Sequence, residues 1–163
     1  MVAALPPLTV FPLAAAASAL VWAAVSDIRH YIIPNRTVAI IGAAYFLFAC
    51  SMPWPFAIGG GLAGLIVFSV AALFFARGWM GGGDAKLMTA AALWAGFSDL
   101  STFALVTSVT GAGLGIFMLT PARRVMPAPS PEALSLARQP MPFGVPIAAG
   151  GLAVLAHYML SPR

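Results

Sequence analysis

Two carboxylates in this sequence have neighbours that suit them to chemistry. Asp84 lies in Gly81-Gly82-Gly83-Asp84-Ala85-Lys86-Leu87, where a glycine turn feeds an apolar run. Asp27 lies in Ser26-Asp27-Ile28-Arg29-His30-Tyr31-Ile32-Ile33-Pro34-Asn35, at the end of another. The only other acidic residues are Asp99 and Glu132. Two carboxylates held close together cannot both ionise cheaply, so they share a proton. Such a pair is an acid–base couple: the ionised member takes a proton from water, and the protonated member polarises an amide carbonyl. Helix ends assign the roles. Asp27 falls at a carboxyl-terminal end, where negative charge is disfavoured, and Asp84 at an amino-terminal end, where it is favoured. On that basis Asp27 holds the proton, Asp84 is the base, and the two titrate as a unit. Three glycines without side chains would let a substrate backbone approach Asp84. Pro34 is preformed to restart a helix after a short turn.

The elements that must position this pair are membrane helices. Of 163 residues, 61% are hydrophobic and 7% charged, and mean hydropathy is +0.98. A water-soluble domain is usually about 25% charged. Six apolar segments follow one another, at roughly 8–26, 36–52, 56–76, 85–97, 100–120 and 143–160. They are continuously apolar, without the alternation of strands, and backbone groups in lipid must be satisfied within the segment. The expected fold is an all-α membrane protein, one bundle of six transmembrane helices in a single domain over 1–163. Five segments approach the ~20 residues a span requires, and the fourth is short.

Basic residues set the topology. Arg29 and Arg36 follow the first segment, Arg77 and Lys86 flank the turn before the fourth, and Arg123, Arg124 and Arg138 follow the fifth. Counting the short fourth segment as a span puts these seven of the eight Lys and Arg residues on one side, leaving Arg163 at the carboxyl terminus. The positive-inside rule makes that side cytoplasmic, with both termini outside. Asp27 and Asp84 then share the cytoplasmic face, while Asp99 lies at the other. The amino terminus, Met1 to Pro12, has no basic region of the kind that opens a cleaved signal peptide, so the first segment reads as a retained helix.

Other residues have simpler readings. Cys50 is the only cysteine, which excludes an internal disulfide and a multi-cysteine zinc site, and no cofactor is called for. Scattered basic residues argue against nucleic acid as a partner. Gly60 with Gly64, and Gly111 with Gly115, have the spacing of close helix packing. Trp22, Trp54, Trp79 and Trp94 fall near segment ends, as interfacial belts do. Asp99 with Ser98 reads as the cap of the fifth helix, His157 as a residue without metal partners, and His30 as an interfacial histidine. Ser130 and Pro131 open a short loop helix, and Lys86 is either a snorkelling anchor or a residue that steadies the pair.

These motifs resemble the prepilin peptidase family of membrane aspartyl proteases. The glycine-rich motif at Gly81–Leu87 carries most of the resemblance. Asp27 with Ile33-Pro34-Asn35 is a second match, and Met141-Pro142-Phe143-Gly144 opening the last helix is a third. The resemblance implies an endopeptidase of the bacterial inner membrane that removes basic leader peptides from prepilin-like precursors at the cytoplasmic face, with Asp27 and Asp84 catalytic. Gly81, Gly82, Gly83, Lys86, Pro34 and Asn35 would shape the site or bind substrate, and no metal would be needed. The larger bifunctional members carry an insertion with paired cysteines and also methylate the product. This sequence has neither feature and resembles the short members that serve tight-adherence (Flp-type) pili. Two readings compete with this one: a peptidase of the same motif acting on another membrane substrate, and a non-enzymatic scaffold or small transporter whose aspartates are structural or carry ions.

Overall fold

The computed structural model describes residues 7–127 and 141–160. Within them the chain forms six α-helices and no strand: α1 (Pro7–His30), α2 (Asn35–Ala49), α3 (Trp54–Ala76), α4 (Gly82–Ala95), α5 (Leu100–Leu119) and α6 (Gly144–Leu160). A 3₁₀ turn, Pro121–Val125, follows α5. The loop helix expected at Ser130 and Pro131, together with Glu132, Arg138 and Arg163, lies outside the described residues. Stretches of α1, α3 and α5 are long and apolar enough to cross a membrane: Thr9–His30, Trp54–Ala76 and Leu100–Leu119. The helices α2 and α6 are shorter and apolar.

The helix α4 sits at the centre, packed against α3, α6, α2 and α5, while α1 packs against α2 and α6. Its 14 residues span about 21 Å at 1.5 Å per residue, short of a ~30 Å hydrocarbon core. Its sequence explains the central place. Ala85, Ala90, Ala91, Ala92 and Ala95 are buried and small, so neighbouring backbones come close on several sides. Peripheral helices show the opposite pattern. Only 22% of the α3 span and 17% of the α5 span is buried, and Leu65, Phe68, Leu105 and Val109 point outward. Such surfaces suit lipid and would aggregate in water.

Glycines make the close approaches. A methyl group added at Gly60 would lie 2.5 Å from the Leu93 carbonyl oxygen, and one at Gly64 would lie 2.5 Å from Leu93 Cδ2, so both glycines seat α3 on α4. Gly111 on α5 faces the Phe143 ring, and Gly115 faces Met141. A pair that spacing did not single out matters equally. Gly150 packs α6 against Phe103 and Thr107 of α5, and Gly151 packs it against Leu20 of α1 and Ala91 of α4.

Two expectations change at the end of the bundle away from Asp27 and Asp84. Trp22, Trp54 and Trp79 are exposed, as belt residues are, but Trp94 is 1% exposed. Its indole N–H donates to the Ile41 carbonyl, and its ring packs among Tyr45 and Phe48, so it belongs to the core. Trp94 is on the buried helix, and nearness to a helix end does not by itself place a residue at the membrane interface. Asp99 precedes α5 but makes no side-chain cap bond. Its carboxylate instead takes the Ser98 hydroxyl at 3.0 Å and His157 Nδ1 at 2.7 Å. The pair ties the α4–α5 turn to α6 and gives His157 a partner that sequence distance hid.

A Gly60→Ala variant is expected to lose about 1–3 kcal/mol of stability through overpacking against α4. Gly61→Ala, with nothing within 4 Å of the added methyl, should not lose stability. Thermal unfolding of the two variants in detergent, followed by circular dichroism, checks the difference.

Candidate active site

Asp27 lies in the last turn of α1, and the chain reverses after His30. Tyr31 takes a positive φ of 55°, rare outside glycine, and its amide donates to the Asp27 carbonyl at 2.8 Å. The Ser26 hydroxyl reaches forward to the Ile32 carbonyl at 2.8 Å, holding the turn against the helix that it leaves. Pro34 then stands as the N-cap of α2, and its carbonyl accepts both the amide and the hydroxyl of Thr37. This sharp connection carries Ile33 back across the end of the bundle.

Asp84 is in the first turn of α4, where it accepts the backbone amide of Gly81. A carboxylate at the third helical position that closes on the N-cap amide is half of a capping box. Asp84 therefore does the local work of starting its helix in addition to anything it does at the site. The three preceding glycines are already closely packed. A methyl group at Gly81 would lie 3.0 Å from Asp84 Oδ2, one at Gly82 would lie 3.2 Å from the Phe75 ring, and one at Gly83 would lie 3.2 Å from Ile33 Cβ. The space that their missing side chains leave is filled largely by the protein itself; Gly81 is the exposed member.

The helices α1 and α4 do not share an extended interface; α2 and α6 join them. Their ends nevertheless converge. Asp27 is 4% exposed and lies within electrostatic reach of Asp84. The Gly144 amide, at the start of α6, donates to Asp27 Oδ2 at 2.6 Å. Ile33 fills the space between the two segments, lying against Gly83 on one side and Gly144 on the other. A methyl group at Gly144 would lie 2.8 Å from Asp27 Oδ2 and 3.0 Å from Ile33 Cδ1, so only glycine fits there without a shift. The amino-terminal end of α6 thus offsets the unfavourable carboxyl-terminal end of α1 at Asp27. The contrast between the helix ends at Asp27 and Asp84 is thereby reduced.

The other residues expected at the site divide. Lys86 is exposed, and its Nζ donates to Asn35 Oδ1 at 3.0 Å, linking the first turns of α4 and α2. Among the described residues the one ion pair is Asp99–His157, so Lys86 does not pair with either aspartate. Pro34 and Asn35 also border a groove of about 910 Å³ between α1 and α2, which neither aspartate lines. His30 is exposed. No group of three or more His, Cys, Asp or Glu residues suited to a metal occurs among the described residues. Gly144 and Ile33 are the two site residues whose roles spacing did not give, although both lie in quoted motifs. A glycine opening a helix after Pro142-Phe143 is the only sequence sign that a backbone amide is being left open.

Loss of the Lys86–Asn35 bond should be visible in stability. Asn35→Ala and Lys86→Met are expected to be non-additive by about 0.5–1 kcal/mol in a double-mutant thermal unfolding cycle.

The model of the type IV leader peptidase family matches residues 14–116, a stretch that includes both aspartates. The chain is 28% identical over 137 residues to prepilin leader peptidase/N-methyltransferases of Burkholderia pseudomallei strains 1026b and K96243. That alignment takes in 83% of this chain and 36% of each relative, so the chain spans about a third of the relatives' length. No solved structure matches it.

Proposed function

This chain belongs to the type IV leader peptidase family, and from that premise we propose that it is a membrane aspartyl endopeptidase with Asp27 and Asp84 as its catalytic pair. The observation that carries the reading is the convergence of two carboxylates, 57 positions apart in sequence, on the amino-terminal ends of two different helices. In the reaction, one ionised carboxylate takes a proton from water, and the resulting hydroxide adds to the scissile carbonyl carbon. The protonated carboxyl gives its proton to the carbonyl oxygen. Collapse of the tetrahedral intermediate breaks the C–N bond and sends a proton to the leaving amine. Asp84, half-buried beside exposed Gly81, is the member that water and substrate reach first. Asp27 is fixed from behind by Gly144.

The substrate is a prepilin-like precursor with an apolar helix in the membrane and a basic leader in the cytoplasm. It enters laterally. All six helices cross, the pair faces the cytoplasm, and both termini lie outside. The positive-inside distribution of Arg29, Arg36, Arg77, Lys86, Arg123 and Arg124 supports that orientation.

Asp27→Asn and Asp84→Asn should each lower leader removal from a co-expressed prepilin by about 10²–10⁴-fold while the protein still folds. Gly144→Ala should cost about 10²-fold by displacing Asp27. Gel separation of precursor and mature pilin gives the readout; a scaffold or transporter would show no such dependence. Cys50 is exposed at the end of α2 that lies away from the pair. A membrane-impermeant maleimide should label it from outside intact cells, and labelling only after lysis would reverse the proposed orientation.

A further inference from the structure

The groove between α1 and α2 combines apolar walls with one cation. Ala15, Ala19 and Trp22 of α1 and Ile40 of α2 form its apolar walls, and Ser18 adds a hydroxyl. Arg36 lines it in the first turn of α2, beside the turn at Pro34 and Asn35. The single ion pair among the described residues is Asp99–His157, so none of them answers the charge of Arg36. An apolar trough of about 910 Å³ with a cation near the membrane surface has the polarity of one phospholipid, acyl chain inward and headgroup at the mouth. Guanidinium and phosphate pair well, in a geometry that admits two parallel hydrogen bonds.

We propose that this groove is a binding site for a phospholipid with an anionic headgroup, held by Arg36. The rival occupant is the apolar helix of a substrate. Charge separates the two: a basic leader beside Arg36 is repelled, whereas an anionic headgroup is attracted. Position gives the site a consequence. The groove ends on Asn35, which takes the hydrogen bond from Lys86 at the start of α4, two residues after Asp84. A lipid seated there braces the α2 end of that link. The inference rests on the membrane setting and does not depend on peptidase activity.

The test is lipid retention by the full-length protein, read by native mass spectrometry from a neutral detergent. Phosphatidylglycerol and phosphatidylcholine with the same acyl chains are titrated separately. The native protein should retain phosphatidylglycerol about fivefold more tightly, the increment for one surface cation. Arg36→Gln should remove that preference, and Arg124→Gln, outside the groove, should keep it. Ile40→Trp should fill the groove and reduce retention of both lipids. Equal retention of the two lipids by the native protein would overturn the proposal. A preference that survives Arg36→Gln, or undiminished retention with Ile40→Trp, would do the same. So would a photoreactive residue at position 40 that captures co-expressed prepilin in place of lipid.

Discussion

One hydrogen bond organises the end of this molecule that holds Asp27 and Asp84. Asp27 is almost wholly buried, and a carboxylate in that position is costly unless a donor satisfies it. The donor is the Gly144 amide, 117 residues further along the chain, at 2.6 Å. First-turn amides of a helix have no partner within the helix, so α6 brings a free donor and a favourable dipole to the same place. The bond forms only if α6 stands at the right height and distance. Gly150 and Gly151 set that distance by letting α6 lie close to α5, α1 and α4. Asp99 and His157 tie down the far end of the same helix.

A second constraint comes from α4. A helix of 14 residues is shorter than the hydrocarbon core of a bilayer, so its end groups must be enclosed by other helices. Its alanines allow that enclosure, and Gly60 and Gly64 of α3 complete it. The first turn of α4, with Asp84 in it, is held by the Gly81 amide and by Lys86 on Asn35. Ile33 fills the space left between Gly83 and Gly144. The glycine-rich motif thus works as a packing device. It brings a carboxylate-bearing turn next to the α1–α2 connection, which a side chain at position 83 would push away.

Much of this was legible in the residues. Continuous apolar runs give the helices and their order, and helix bounds agree within a few residues because Gly, Pro and polar turns interrupt the runs sharply. The glycine spacing at Gly60 and Gly64 gives a real helix contact, since small residues four apart lie on one face. Trp94, Asp99 and His157 were not legible in the same way. Their environments depend on which helices are neighbours, and a one-dimensional pattern does not carry that information. Gly144 shows the limit most clearly. Its motif could be seen, but its task is to leave a backbone amide open to a residue on another helix. No side-chain property announces that task.

Residues 27 and 84 approach each other at one end of the bundle although their helices are joined mainly through α2 and α6. The most direct test replaces Cys50 with serine and introduces Asp27→Cys together with Asp84→Cys. The shortest bifunctional thiol reagent is then applied in native membranes, and the intact chain is weighed by mass spectrometry. An intramolecular bridge between 27 and 84 is expected, and none when Asp27→Cys is combined with Asp99→Cys beyond the far end of α4. Failure to bridge 27 and 84 while both cysteines remain reactive, or bridging of 27 to 99 instead, would contradict that approach.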